Sequence, residues 1–166
     1  ARLDQHAEMA EVVNAAAVLG TCSTVSPAVD GMRPRAFPVF KIDTAMVAEA
    51  VRQGGRIGVI ATNPTTLAPT RSLLQGEATA RGKTVDVEML LVEGALKALM
   101  NGDGTTHDAL VLQAVAQISA RVDVVVLAQA SMARVLAGLP AAHSTVPILT
   151  SPHLALEQVK TAVFQR

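Results

Sequence analysis

Tryptophan and tyrosine are absent from these 166 residues, phenylalanine occurs three times, and there is a single cysteine. Each shortage excludes something. With no stacking aromatics to speak of, and with 14 basic residues balanced by 14 acidic ones and no basic block, the chain is unsuited to nucleic acid. One cysteine permits no internal disulfide and no cysteine-based zinc site, which fits a reducing compartment; a cytoplasmic location is the expectation. Long apolar runs are missing too. The stretch 122–128 is broken by Asp123, no segment is long enough to span a bilayer, and no membrane partner is expected. The N-terminus, Ala1-Arg2-Leu3-Asp4-Gln5-His6, is polar and reads as the start of an amphipathic helix rather than a signal peptide. Neither G-x-G-x-x-G nor a Walker pattern occurs, which disfavours a nucleotide or nicotinamide enzyme.

What is there is apolar and regular. Hydrophobic residues make up 50% of the chain, mostly Ala, Val and Leu, enough for a sizeable core. Apolar residues at helical spacing run over 3–14, 44–53, 66–81, 93–100, 106–121, 131–137 and 151–164, and strand-like runs cover 15–21, 37–42, 56–61, 84–92, 122–128 and 146–149. Residues 23–29 could open a further helix with Pro27 in its first turn. Asp43 reads as a helix cap, Gly54-Gly55 as a stop and the best lobe boundary, Pro69 as an interruption near a helix start, and Asn101-Gly102-Asp103-Gly104 as a turn. Strands spaced by helices predict an α/β fold with parallel sheets and crossover connections.

Two stretches resemble each other within that alternation. Residues 17–24 and 38–51 align with 124–131 and 147–159: strand, small polar turn, helix, a short strand opening with Pro, then a capped helix. The alignment sets Cys22 opposite Gln129 and Thr24 opposite Ser131. Turns at the carboxyl ends of parallel strands are where α/β proteins bind ligands, so two such turns related by an approximate twofold would face each other across a cleft. Chance likeness between two Ala/Val-rich units is the competing explanation.

Thr21-Cys22-Ser23-Thr24 is the most informative turn. A lone cysteine is commonly a small buried hydrophobe; against that, Cys22 ends a strand, hydroxyls surround it, and following backbone N–H groups could hold a carboxylate and favour a thiolate. The turn Ala61-Thr62-Asn63-Pro64-Thr65-Thr66 reads either as a polar loop with Thr65 or Thr66 as N-cap, or as an anion cradle. Gln129 and Ser131 form the partner turn. His6, His107, His143 and His153 have no metal-ligand spacing and read as surface residues, with His153 nearest a strand end. Asp30, Asp43 and Asp123 read as caps or strand flanks.

The run R-I-G-V-I-A-T ending at Thr62, the Thr-Cys-Ser-Thr turn, and V-L-A-Q-A-S-M-A-R ending at Arg134 followed by V-P-I-L-T-S-P ending at Pro152 resemble the aspartate/glutamate/hydantoin racemase superfamily over nearly the whole chain. The resemblance implies two pseudo-symmetric α/β lobes, short parallel sheets flanked by helices, an active cleft between the lobes, and no cofactor or metal. It implies one cysteine from each lobe on opposite faces of the substrate Cα, with Cys22 as the first-lobe cysteine. Ser23, Thr24, Thr62 and Thr65 become carboxylate contacts, joined by Thr66, Gln129 and Ser131. Two departures stand out. Gln129 occupies the second-lobe cysteine position, and an amide cannot serve as a general acid or base. Family members also begin with a strand–helix–strand unit, so an N-terminal portion is expected ahead of Ala1. Residues 1–54 are then the remainder of the first lobe, 55–150 the second lobe, and 151–166 a C-terminal helix packing back toward the first.

The expected function is a cofactor-independent racemase- or isomerase-like enzyme acting through Cys22 on a small carboxylate or amino acid, as a homo-oligomer. Two alternatives stand beside it: a one-cysteine, decarboxylase-like enzyme of arylmalonate type, although those relatives keep the cysteine in the opposite lobe, and a non-catalytic binder of small carboxylic acids. A structural Cys22 in an unassigned α/β domain is the plainest reading.

Overall fold

The runs R-I-G-V-I-A and V-V-V-L alternate no polar residue into their interiors, so both faces must be covered and both strands must be central. The computed structural model, which describes residues 2–138 and 144–165, places them side by side in parallel. The strands are β1 (Val18–Gly20), β2 (Val39–Lys41), β3 (Arg56–Ala61), β4 (Asp86–Leu91), β5 (Val124–Leu127) and β6 (Ile148–Thr150). The helices are α1 (Arg2–Val12), α2 (Ser26–Val29), α3 (Thr44–Gln53), α4 (Pro64–Ala80), α5 (Ala95–Met100), α6 (Gly104–Ser119), α7 (Ala133–Ala137) and α8 (Ser151–Phe164). Strands β1 and β2 form one parallel sheet; the other four form a second in the order β4-β3-β5-β6, also parallel throughout. The α/β fold with two short parallel sheets flanked by helices is therefore as expected.

The larger sheet carries most of the core. Ile57, Val59 and Ala61 of β3, with Val124 and Val126 of β5 and Ala128 beyond it, point to one face and pack against Met46, Val47, Ala50 and Val51 of α3 and Leu74 and Ala78 of α4. Ile60, Val125 and Leu127 point to the other, against Val111, Val115 and Ile118 of α6 and Met132. That is the period-2 alternation of a strand buried on both sides. Two glycines are there for space. A Cβ on Gly58 would lie 2.8 Å from Ile118 Cδ1, and one on Gly54 would lie 2.4 Å from the Asp123 Cβ. Asp123 flanks β5 as expected, its Oδ2 accepting from the N–H of Gly55 (3.1 Å) and of Arg56 (2.8 Å).

The internal repeat extends to strand register. Val18 pairs with Val39, and Val125, the residue aligned with Val18, pairs with Ile148, the residue aligned with Val39. The first bonds correspond as well: Val18 N–H donates to the Pro38 carbonyl at 3.0 Å, and Val125 N–H to that of Pro147 at 2.9 Å. Helix α8 packs on α3 and β2.

Several expectations need correction. The helix expected from residue 23 starts at Ser26, because 23–25 form a turn closed by Val25 N–H on the Cys22 carbonyl (3.1 Å). The strand expected over 15–21 is only Val18–Gly20. Before it, Asn14 (φ 51°) ends α1 in the left-handed conformation, with Asn14 N–H on Glu11 O and Ala15 N–H on Ala10 O, the paired bonds of a Schellman cap. Pro69 does not interrupt α4, which starts at Pro64 and runs through it. The helix expected over 131–137 opens with a 3-10 turn, Ala130–Met132. His107 is fully buried rather than on the surface, His6 and His153 are exposed, and His143 lies outside the described residues. Asp43 sits at the N-cap of α3 but makes no capping bond there.

Candidate functional site

Parallel strands deliver their carboxyl ends, and the turns that follow, to one edge of a sheet. Here the turn after β1, the start of α4 after β3, and the turn after β5 meet around a cavity of about 240 Å3. Thr21, Cys22, Ser23 and Thr24 line it from the turn after β1; Asn63 and Thr66 from the start of α4; Gln129, Ala130 and Ser131 from the turn after β5. Cys22 and Gln129, paired by the repeat, thus face one space. Cys22 is exposed. No Asp, Glu, Lys, Arg or His is among the described residues of this wall.

The wall is tied together across the three turns. The buried Ser23 Oγ donates to the Ala128 carbonyl at 3.2 Å, joining the cysteine turn to the end of β5. Thr24 Oγ1 and Thr65 Oγ1 share a 3.2 Å hydrogen bond between the cysteine turn and α4. Asn63 is the N-cap of α4, its Oδ1 accepting from Thr65 N–H (3.1 Å) and Thr65 Oγ1 (2.9 Å). A helix of 17 residues starting at the cavity contributes the positive end of its dipole, which favours an anion there. The N–H groups of Ser23 and Thr24 donate to no acceptor among the described residues.

Gln129 is engaged at both ends of its amide. Its Oε1 accepts from the Thr62 N–H at 2.7 Å, and its Nε2 donates to Thr62 Oγ1 at 3.0 Å. Thr62 is 4% exposed, and these two bonds partner its N–H and its hydroxyl. Of the eight sequence candidates, Cys22, Ser23, Thr24, Thr66, Gln129 and Ser131 line the cavity; Thr65 reaches it through Thr24 and Asn63, and Thr62 stands behind Gln129. Thr62 lines a neighbouring cavity of about 410 Å3 with Pro64, Leu91, Leu96 and Met100. Asn63, within the Ala61–Thr66 motif, also lines the cavity; its place immediately before Pro64, at the head of a helical run, is the sequence signal for it.

A roomier cavity of about 420 Å3 lies beside β2, away from these turns, lined by Arg33, Arg35, Phe37 and Lys41 among others. Two of its cations are already committed, Lys41 to Asp30 and Arg35 to Asp4 and Glu11. Among the described residues no group of three or more His, Cys, Asp or Glu is arranged to hold a metal ion, and no helix is long and apolar enough to cross a membrane.

Solved structures of known proteins share this fold. A glutamate racemase from Bacillus anthracis superposes with a TM-score of 0.68 at 18% identity, over 96% of this chain and 64% of its own. An allantoin racemase from Klebsiella pneumoniae gives 0.70 at 16% identity, over 97% and 64%. Arylmalonate decarboxylase gives 0.61 at 16% identity, over 98% and 75%. The chain therefore spans a little under two thirds of the length of these racemases. No curated protein matches the sequence. The family model described as Asp/Glu/Hydantoin racemase matches residues 1–159, and with the paired strand–turn–helix units built around Cys22 and Gln129, the chain belongs to the Asp/Glu/hydantoin racemase family.

Proposed function

We propose that the protein is a cofactor-independent enzyme of racemase type that moves a proton at the carbon next to a carboxylate, with Cys22 as the acid/base. One observation carries this reading: of the nine described residues lining the cavity, Cys22 alone has an acid/base side chain. The others are Thr, Ser, Asn, Gln and Ala. Such a wall suits a small carboxylate or amino acid held by hydroxyls, by the N–H groups of Ser23 and Thr24, and by the start of α4. In the reaction the Cys22 thiolate takes the Cα proton and the electron pair moves into the carboxylate. The donors already bonded to its oxygens then carry the enediolate-like charge. Return of the proton from the thiol to the same face regenerates the substrate with its configuration kept. Inversion follows when solvent water protonates the opposite face and the hydroxide so formed takes the proton from the thiol, restoring the thiolate. Ser23, Thr24, Thr66 and Ser131 would bind substrate, Thr65 would orient Thr24, and Gln129 with Thr62 would shape the opposite wall.

Gln129 favours a second reading. Its amide is committed to Thr62, so among the described lining residues the face opposite Cys22 offers no acid or base. One-sided chemistry then includes a decarboxylase-like reaction: a carboxylate leaves as CO2, its bonding pair remains on carbon, and the Cys22 thiol protonates that carbon. The full-length protein should be incubated with amino acids, 2-substituted acids and 2-substituted malonates, following configuration and CO2 release. Change at Cα supports the enzyme, and CO2 release from a malonate selects the second reading. Calorimetric binding with neither change would make the cavity a carboxylate-binding site and overturn both.

A further inference from the structure

Asp43 follows β2 and holds the N-cap position of α3, where a carboxylate ordinarily accepts from the second or third helical N–H. It does not do so here. The residue is 1% exposed; Oδ1 accepts from Ser26 Oγ at 2.9 Å, and Oδ2 is buried with no partner. Ser26, also 1% exposed, lies four residues past Cys22, and its Oγ is 3.5 Å from the Cys22 carbonyl oxygen. Burial pushes the Asp43 carboxyl up, opposed by the Ser26 bond. A buried carboxyl with one oxygen unpartnered costs stability, and no capping bond to α3 offsets that cost.

The other half of the molecule forms without this pair. The spacing that sets Cys22 opposite Gln129 sets Ser26 opposite Ala133, and the spacing that sets Val39 opposite Ile148 sets Asp43 opposite Pro152. Strands β5 and β6 pair in the same register with neither side chain able to make such a bond. The Asp43–Ser26 pair is therefore peculiar to the half that bears the thiol.

We propose that Asp43 is a positioning residue for Cys22, fixing through Ser26 the turn that presents the thiol to the cavity. This rests on the reading of Cys22 as the proton-moving group, but its test does not need turnover. Cys22 is the only cysteine and is exposed, so alkylation of the whole protein by iodoacetamide reports that thiol alone. Ser26→Ala and Asp43→Leu should each shift the alkylation rate constant about threefold or more in the same direction, and the double variant no further than either, as expected of coupled residues. Asp43→Asn and Ser26→Thr, which keep an acceptor and a donor in place, should stay near the parent rate. If Asp43→Leu fails to fold, Ser26→Ala, which removes one hydroxyl, carries the test by itself. A Ser26→Ala thiol reacting at the parent rate would overturn the proposal, as would single effects that multiply in the double variant. A role confined to packing would lower the urea midpoint and leave alkylation unchanged. Altered alkylation together with Cα exchange that ignores Cys22 would keep the positioning and remove the proton chemistry.

Discussion

Replacing Gln129 by leucine keeps the bulk of the side chain and deletes both bonds to Thr62. The lost contacts are the 2.7 Å bond from Thr62 N–H and the 3.0 Å bond to Thr62 Oγ1. Thr62 is almost fully buried, and a buried donor left without a partner costs about 1–3 kcal/mol. Water reaching through the half-open cavity would recover part of that, because Gln129 is itself only half-buried. The expected loss is about 1–2 kcal/mol, or a fall of about 0.5–1 M in the urea midpoint at unchanged slope. Gln129→Glu should lose much less: one carboxylate oxygen still accepts from Thr62 N–H, and the threonine hydroxyl can turn and donate to the other. Equilibrium urea unfolding of the three proteins measures this directly. A Gln129→Leu midpoint equal to the parent's would show that the Thr62 contacts contribute nothing, and that Gln129 is not what holds the loop after β3.

Two further perturbations test the frame around the site. Gly58→Ala would bring a Cβ to 2.8 Å from Ile118 Cδ1 and 3.2 Å from Val122 Cγ2 in a fully packed layer; overpacking of this kind costs about 1–3 kcal/mol, seen as a lower thermal midpoint, and an unchanged midpoint would contradict the packing described. Acid should destabilise the fold through Asp4 and Glu49. The Arg33 backbone N–H, with Arg35, lowers Asp4 to about 2, and Arg52, with Gln53, lowers Glu49 to about 2. Both are depressed carboxylates, so their stabilisation is present above the ordinary carboxylate range and is lost as pH falls from about 4 toward 2. In Glu49→Gln that acid-dependent loss should be smaller, and an identical pH profile would refute the assignment.

The sequence carried the order of strands and helices because apolar periodicity and Gly, Pro and Asn punctuation are local signals. The repeat was legible for the same reason, and its register in β1–β2 and β5–β6 gives it a physical basis. Less legible were features made by contacts distant along the chain. The Gln129–Thr62 clasp joins residues 67 apart, and nothing in either motif announces it. Asp43 looks like any N-cap until packing turns it inward toward Ser26. Burial of His107 was readable in principle: it shares one helical stripe with Val111, Ala114, Val115 and Ile118, and a polar residue on an apolar face tends to be buried with it. The helix after the cysteine turn begins three residues later than the sequence predicts, because Pro27 allows a helix start without fixing where it occurs.

The central claim is that Cys22 moves the proton. It is tested most directly by following loss of the Cα–H signal of candidate amino and 2-substituted acids in deuterated water, using the full-length protein and its Cys22→Ala variant. The account predicts exchange by the parent and a fall of about a hundredfold or more in the variant, the range expected for loss of a general acid/base. Exchange by Cys22→Ala at the parent rate would contradict it.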